Sequence, residues 1–404
     1  MEVMSFEGQG PMQAYVEGVR ERLADIRQVA RLNEYDMWTS HGPVLWRAEA
    51  FLGNPVFYPV YRLGDLYSYS PLALILTKGF VRFDAELAKQ CDAPGFRFLS
   101  GRGVLDRDIE RLGGPVMSER RIVASSAYVD RIVAALLSDV TMVERANPEH
   151  TNIVLCGGKD SLNLLLLPWR NPVYAASAPP NYALVKQFVE DNELDVRVVP
   201  LHDVADDALL DAEVIENGCR NNLEHCRWGG DLRALSRKHD GKVIFWKGQI
   251  GDALMTPHWK EVGRCPDSLY EKGRKAYRRA EKLLPVFART TVGHRFLEPS
   301  FRRILWERCA MWQGAHVSLI RAVADCLVLS AYHGPEMAKA TAEVDLTRAV
   351  LTDLRDEVGA RLLGRPVKYP DTNPGPPVST LRSNRSSPAL YLDLLRSAGV
   401  DVIG

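Results

Sequence analysis

The chain is poor in the features that assign a protein quickly. Net charge is absent: 51 Lys and Arg balance 51 Asp and Glu over 404 residues, so no global field recruits nucleic acid or an anionic membrane. No apolar run approaches the roughly 18–20 residues needed to cross a bilayer, and no membrane role is expected. The opening residues, Met1 to Glu7, lack a basic segment followed by an apolar one, so no secretory signal is read there. Seven cysteines, at 91, 156, 219, 226, 265, 309 and 326, form no C-x-x-C pair, which argues against a structural zinc site. Their odd, scattered placement fits a reduced, cytoplasmic compartment. No internal repeat or low-complexity segment is visible, and the length suffices for two or three domains with proper cores.

What is present centres on Thr151-Asn-Ile-Val-Leu-Cys-Gly-Gly-Lys-Asp-Ser-Leu-Asn-Leu-Leu-Leu-Leu167. Ile153, Val154 and Leu155 suit a strand buried on both faces of a parallel sheet. The chain then turns through Cys156, Gly157, Gly158, Lys159, Asp160 and Ser161 into a leucine-rich helix that should stop near Pro168. Paired glycines let backbone approach a ligand closely, and a helix N-terminus favours anions. Lys159 adds a charge, Ser161 a hydroxyl, and Asp160 an oxygen suited to Mg²⁺. The spacing is neither that of a Walker A loop nor of G-x-G-x-x-G.

These residues resemble the PP-loop (Ser-Gly-Gly-x-Asp-Ser) of the ATP pyrophosphatase superfamily, five of six positions matching, with Cys156 replacing the first serine. The resemblance implies ATP cleaved between its α and β phosphates and a carbonyl or carboxylate oxygen activated as its adenylate. It also implies a nucleotide site formed by Leu155, Cys156, Gly157, Gly158, Lys159, Asp160 and Ser161, with Asp160 on the metal.

The flanking chain reads in keeping with this. Residues 11–35 read as a helix. Residues 36–118 contain short aromatic and branched runs, Val44–Trp46, Pro55–Tyr61, Leu66–Ser70 and Leu72–Leu76, which suggest strands of a small β-rich domain spanning residues 1–118. Residues 119–146 read as an amphipathic helix. Strands at Val173–Ala178, Val196–Leu201 and Val243–Trp246, with a helix at Tyr182–Asn192, imply right-handed βαβ units and a parallel sheet whose ligand lies at the carboxyl ends of the strands. The expected fold is α/β: a parallel-sheet synthetase domain, residues 119–404, similar to the adenine nucleotide alpha hydrolases and ending in a helical part. Residues 257–305 are basic and aromatic, but a solvated helix face is the better reading than a nucleic-acid surface. Residues 304–330 read as helix, with His316 a packed residue, and a last helix is expected at Pro388–Leu395.

Three further segments resemble asparagine synthetase. Lys247-Gly-Gln-Ile-Gly-Asp-Ala253 is similar to its Gly-Asp-Gly-Ala-Asp-Glu segment: Gly248 and Asp252 match, Gly251 stands at the alanine, and Gln249 and Ala253 replace acids. Position places Asp325 at that family's base, and Tyr332 or His333 at a second metal-binding aspartate. Arg365-Pro-Val-Lys368 resembles its Arg-x-Lys loop with one residue more, making Lys368 the lysine of acyl transfer. The glutaminase cysteine of that family has no counterpart, since the first cysteine is Cys91; β-lactam synthetase offers the parallel of an inert N-terminal domain.

The expected activity is therefore an AMP-forming amide ligase using ATP and Mg²⁺, with Lys159, Asp325 and Lys368 catalytic. A small-molecule or peptide carboxylate would be joined to an amine or ammonia, in specialised-metabolite synthesis by family analogy. A homodimer is compatible with this. Two alternatives stand beside it. Cys156, with its pKa lowered beside Lys159 at a helix N-terminus, would carry sulfur to an adenylated carbonyl; or the loop would bind nucleotide without turnover.

Overall fold

The computed structural model describes residues 38–39, 60–64, 66–68, 74–75, 78–83, 106–112, 121–202, 228–257, 326–370 and 399–404, with 298, 302, 305, 392–393 and 395–396. The expectations for residues 11–35, Val44–Trp46, His316 and Asp325 lie outside the described residues, as does nearly all of 257–325.

Toward the N-terminus, β1 (Trp38–Thr39), β2 (Val60–Leu63), β3 (Leu66–Ser68) and β5 (Glu110–Leu112) form an antiparallel sheet in the order β1-β3-β2-β5. Between them in sequence, β4 (Phe80–Arg82) pairs in parallel with β11 (Asp401–Ile403), so the end of the chain returns to this region. Leu74 and Ile75, read as strand, are helical and fully buried. A short apolar run carries no period that separates the two states. Nearby, the Lys78 ammonium lies 2.9 Å from each carboxylate oxygen of buried Asp106 and 2.6 Å from Asp108.

The long helix α1 (Ser125–Ala146) buries Tyr128, Val129, Ile132, Ala135, Leu136, Val140 and Val143, spacings of three and four that put one stripe against the core. After it come β6 (Thr151–Leu155), α2 (Lys159–Leu164), β7 (Val173–Ser177), α3 (Asn181–Asp191), β8 (Arg197–Pro200), α4 (Gly229–Lys238), β9 (Val243–Lys247), α5 (Gly251–Met255) and β10 (Leu327–Ser330). A 3₁₀ turn at Ala331–His333 leads to α6 (Pro335–Glu343), α7 (Leu346–Ala349) and α8 (Arg355–Leu363).

Strands β6 to β10 make one parallel sheet in the order β10-β9-β6-β7-β8. Numbered by appearance this is 3-2-1-4-5 read from the other edge, a doubly wound, Rossmann-like arrangement whose switch point lies between β6 and β9. All five residues of β9 are buried, as expected of a central strand covered on both faces.

Two boundaries differ from the sequence reading. Helix α2 ends at Leu164, and Leu165, Leu166 and Leu167 close onto carbonyls three residues back. Pro168 disfavours helical geometry at Leu167, and the Trp169 indole takes the Leu164 carbonyl at 2.9 Å. Residues 327–330, read as the end of a helix, are β10; pairing alongside β9 buries Val328 and Leu329, and this outweighs local period.

Buried polar groups fix the sheet to its helices. Asn152 of β6 donates to Glu144 of α1 (2.8 Å) and accepts from the Trp246 indole of β9 (2.8 Å), while Glu144 also receives the amides of Arg170 and Asn171. Asp139 of α1 accepts from the Glu336 and Met337 amides at 3.0 Å each, capping α6. Burial pushes the Asp139 carboxyl up to about 6.

Candidate functional site

The loop leaves β6 at the switch point. The Cys156 amide continues the ladder to Ala176 (2.8 Å), and its side chain turns inward, with Sγ 3.5 Å from the Val154 carbonyl. Burial raises the thiol's pKa. That reverses the lowered pKa expected at this position: desolvation disfavours the thiolate, and Lys159, which was to stabilise it, points elsewhere.

Ser161 closes the turn. Its hydroxyl accepts from the amides of Gly157 (3.0 Å) and Gly158 (3.3 Å) and donates to the Gly158 carbonyl (2.8 Å). The two amides read as phosphate donors are thus organised by the serine of the same loop.

Lys159 extends to Asp356 of α8 at 2.7 Å and lies 4.8 Å from the centre of the Tyr369 ring. The Tyr369 hydroxyl in turn bonds Asn163 of α2, and Asn163 donates to the Arg355 carbonyl at 2.9 Å. Gly359 makes room for this: a Cβ there would stand 2.0 Å from the Tyr369 hydroxyl.

Asp160 is a strongly perturbed carboxyl. Its side chain is only 18% exposed, and Oδ1 is buried with no hydrogen-bond partner. Arg355 approaches Oδ2 at 3.8 Å, but that guanidinium is chiefly bound to Asp353. Burial, then the Asp252 carboxylate, push Asp160 up to about 7 against the pull of Arg355. The Tyr332 hydroxyl holds the Asp160 carbonyl at 3.0 Å. Tyr332, placed by resemblance at a second metal-binding aspartate, therefore supports the loop's main chain.

The segment after β9 fits against this loop closely. A Cβ on Gly248 would stand 2.5 Å from the Ser161 amide nitrogen. Ile250 adopts φ 64°, a left-handed conformation unusual for a branched residue, immediately before α5.

Two cavities flank the loop. The first, about 240 Å³, is lined by Leu155, Cys156, Gly157, Gly158, Asp160, Ser161, Gly248 and Asp252, together with Ala176, Ala178, Leu201, Trp228 and Lys247. The second, about 340 Å³, shares Gly157, Gly158, Asp160 and Asp252 and adds Lys159, Asn181, Leu184, Arg355 and Pro370. Eight of the nine residues expected to bind nucleotide thus line the first cavity, and Lys159 lines the second.

No known protein-family profile and no curated protein matches this chain. The site is therefore read from its own chemistry.

Lys368 is exposed and lines neither cavity. Its amide donates to Asn192 Oδ1 (2.9 Å) and its carbonyl accepts from the Asn192 amide (2.8 Å). Asn192, at the end of α3, thereby carries residues 365–370 past the loop. Sequence reasoning missed Lys247, Asp353, Arg355, Asp356 and Tyr369. The dense charge of Asp353-Leu-Arg-Asp-Glu357 was the available signal, but nothing local to it points at a loop about two hundred residues earlier.

For a divalent cation, the donor set offers the Asp160 and Asp252 carboxylates. Among the described residues no group of three or more His, Cys, Asp or Glu side chains is arranged to hold a metal. Two carboxylates with an orphaned oxygen suit Mg²⁺, which keeps waters and takes the rest of its shell from substrate phosphates. Among the described residues no helix is long and apolar enough to cross a membrane.

Proposed function

We propose that this chain is an ATP-dependent ligase. It transfers AMP to a carboxylate or amide oxygen, releases pyrophosphate, and passes the activated acyl group to an amine or ammonia. The observation that carries the reading is Asp160: a buried carboxylate with a partnerless oxygen, beside Asp252, lining both cavities at the switch point of a parallel sheet.

The apolar end of the first cavity, with Ala176, Ala178, Leu201 and Trp228, suits a nucleoside. To donate to phosphate oxygens, the Gly157 and Gly158 amides and the Ser161 hydroxyl would exchange the bonds they now make within the loop. Asp160 and Asp252 would hold Mg²⁺, which would supply neutralisation of negative charge on phosphate oxygens. On the far side of the loop, Lys159 and Arg355 provide positive charge near the leaving group, each already oriented by a carboxylate. Lys368 is assigned to the acyl-transfer step, which requires its side chain to turn from solvent toward the site. Sulfur transfer is disfavoured by the inward, buried Cys156 thiol.

The reading is tested by exchange of labelled pyrophosphate into ATP across a panel of carboxylates with Mg²⁺. Carboxylate-dependent exchange supports it; its absence with every carboxylate, while ATP is still hydrolysed to ADP, refutes it.

A further inference from the structure

Lys247 ends β9, with its backbone paired between Leu155 of β6 and Ser330 of β10. It is 4% exposed. It lines the first cavity together with Gly157, Gly158 and Ser161, and it is the only Lys or Arg among the described residues that do so. Among the described residues the carboxyl groups lining that cavity are Asp160 and Asp252, so an anionic ligand entering it meets two carboxyl groups and this one lysine. Lys159, the cation expected here from the loop, is held on the other side by Asp356 and Tyr369. Buried His333 is kept well below the usual histidine range by burial and by the charge of Lys247, so it adds no second cation.

We propose that Lys247 binds the phosphate nearest the nucleoside, the one AMP retains, from the floor of the first cavity. This rests on the reading of the site as ATP-splitting. The loop then divides the triphosphate: Lys247 serves the phosphate that stays with the nucleoside, and Lys159 with Arg355 serve the two that leave.

Calorimetric titration of the wild type and of Lys247→Met with AMP and with adenosine tests this. The variant is expected to lose about tenfold to a hundredfold in AMP affinity, the range of a hydrogen bond to a charged group, while adenosine binds as before. An AMP affinity within twofold of wild type overturns the proposal. Should the variant fail to fold, reductive methylation of the wild-type protein with formaldehyde and cyanoborohydride decides, read by peptide mapping. Methylation of Lys247 that saturating AMP blocks and saturating adenosine does not supports the assignment. Methylation that persists under AMP, or a Lys247 that never reacts, overturns it. Failure of the underlying reading is a different result: wild type that binds none of ATP, AMP or adenosine.

Discussion

A Cβ atom on Gly251 would stand 2.8 Å from the Cβ of Asp160 and 2.9 Å from Cε2 of Tyr332. The first turn of α5 can therefore lie against the loop only because it lacks a side chain at this point. Helix propensity alone favours Gly251→Ala by about 1 kcal/mol. Steric crowding opposes it and should win, with a net loss of about 1–3 kcal/mol in denaturant unfolding. Asp160 would be displaced as well, so nucleotide-dependent turnover should fall more steeply than stability. A stabilised, fully active variant would mean that α5 and the loop move apart freely.

Asp160 itself gives a pH prediction. Its folded pKa, about 7, exceeds the unfolded value of 3.8, so between those values the folded protein holds the extra proton. Stability from this group is thus greatest at low pH and is lost as pH rises through about 7. Asp160→Asn removes that loss. It should melt higher than wild type at about pH 8, and the advantage should shrink as pH falls toward about 4. The same variant should lose Mg²⁺-dependent turnover. An advantage that does not depend on pH would show that Asp160 is not the titrating group.

How much of this was legible in the sequence depends on range. Strands β6, β7, β8 and β9 announce themselves as short apolar runs bounded by turn residues, and the Cys156–Ser161 turn by its paired glycines. What could not be read was set by contacts distant in sequence. Residues 327–330 look helical until β9 pairs beside them, and Leu74 and Ile75 look extended until packing decides. Asp356 and Arg355, which face Lys159 and Asp160, lie on α8, brought over by the fold rather than by any motif. Cys156 shows the same limit: its neighbours in sequence argue for a lowered thiol pKa, and only its burial in the fold raises it.

Cys156→Ser separates nitrogen from sulfur chemistry. A buried hydroxyl costs some stability, but the loop's amides are unchanged, so turnover should stay within about tenfold, under roughly 1.4 kcal/mol. Pyrophosphate release that continues without final product would instead assign sulfur transfer to this thiol.

Asn192 and Lys368 test the second half of the reaction. Asn192→Ala removes two hydrogen bonds to the Lys368 main chain and should cost about 1–3 kcal/mol of stability. Lys368→Ala should leave stability within about 0.5 kcal/mol, because the side chain is exposed. It should abolish final product while pyrophosphate exchange persists. Loss of exchange together with product would place Lys368 in adenylation.

The central claim is the bond at which ATP is cut. Purified protein incubated with ATP, Mg²⁺ and carboxylate and amine mixtures, followed by chromatographic separation of the nucleotides, reads it directly. The account predicts AMP and pyrophosphate in equal amounts, and neither from Asp160→Asn. ADP and inorganic phosphate as the products would contradict it.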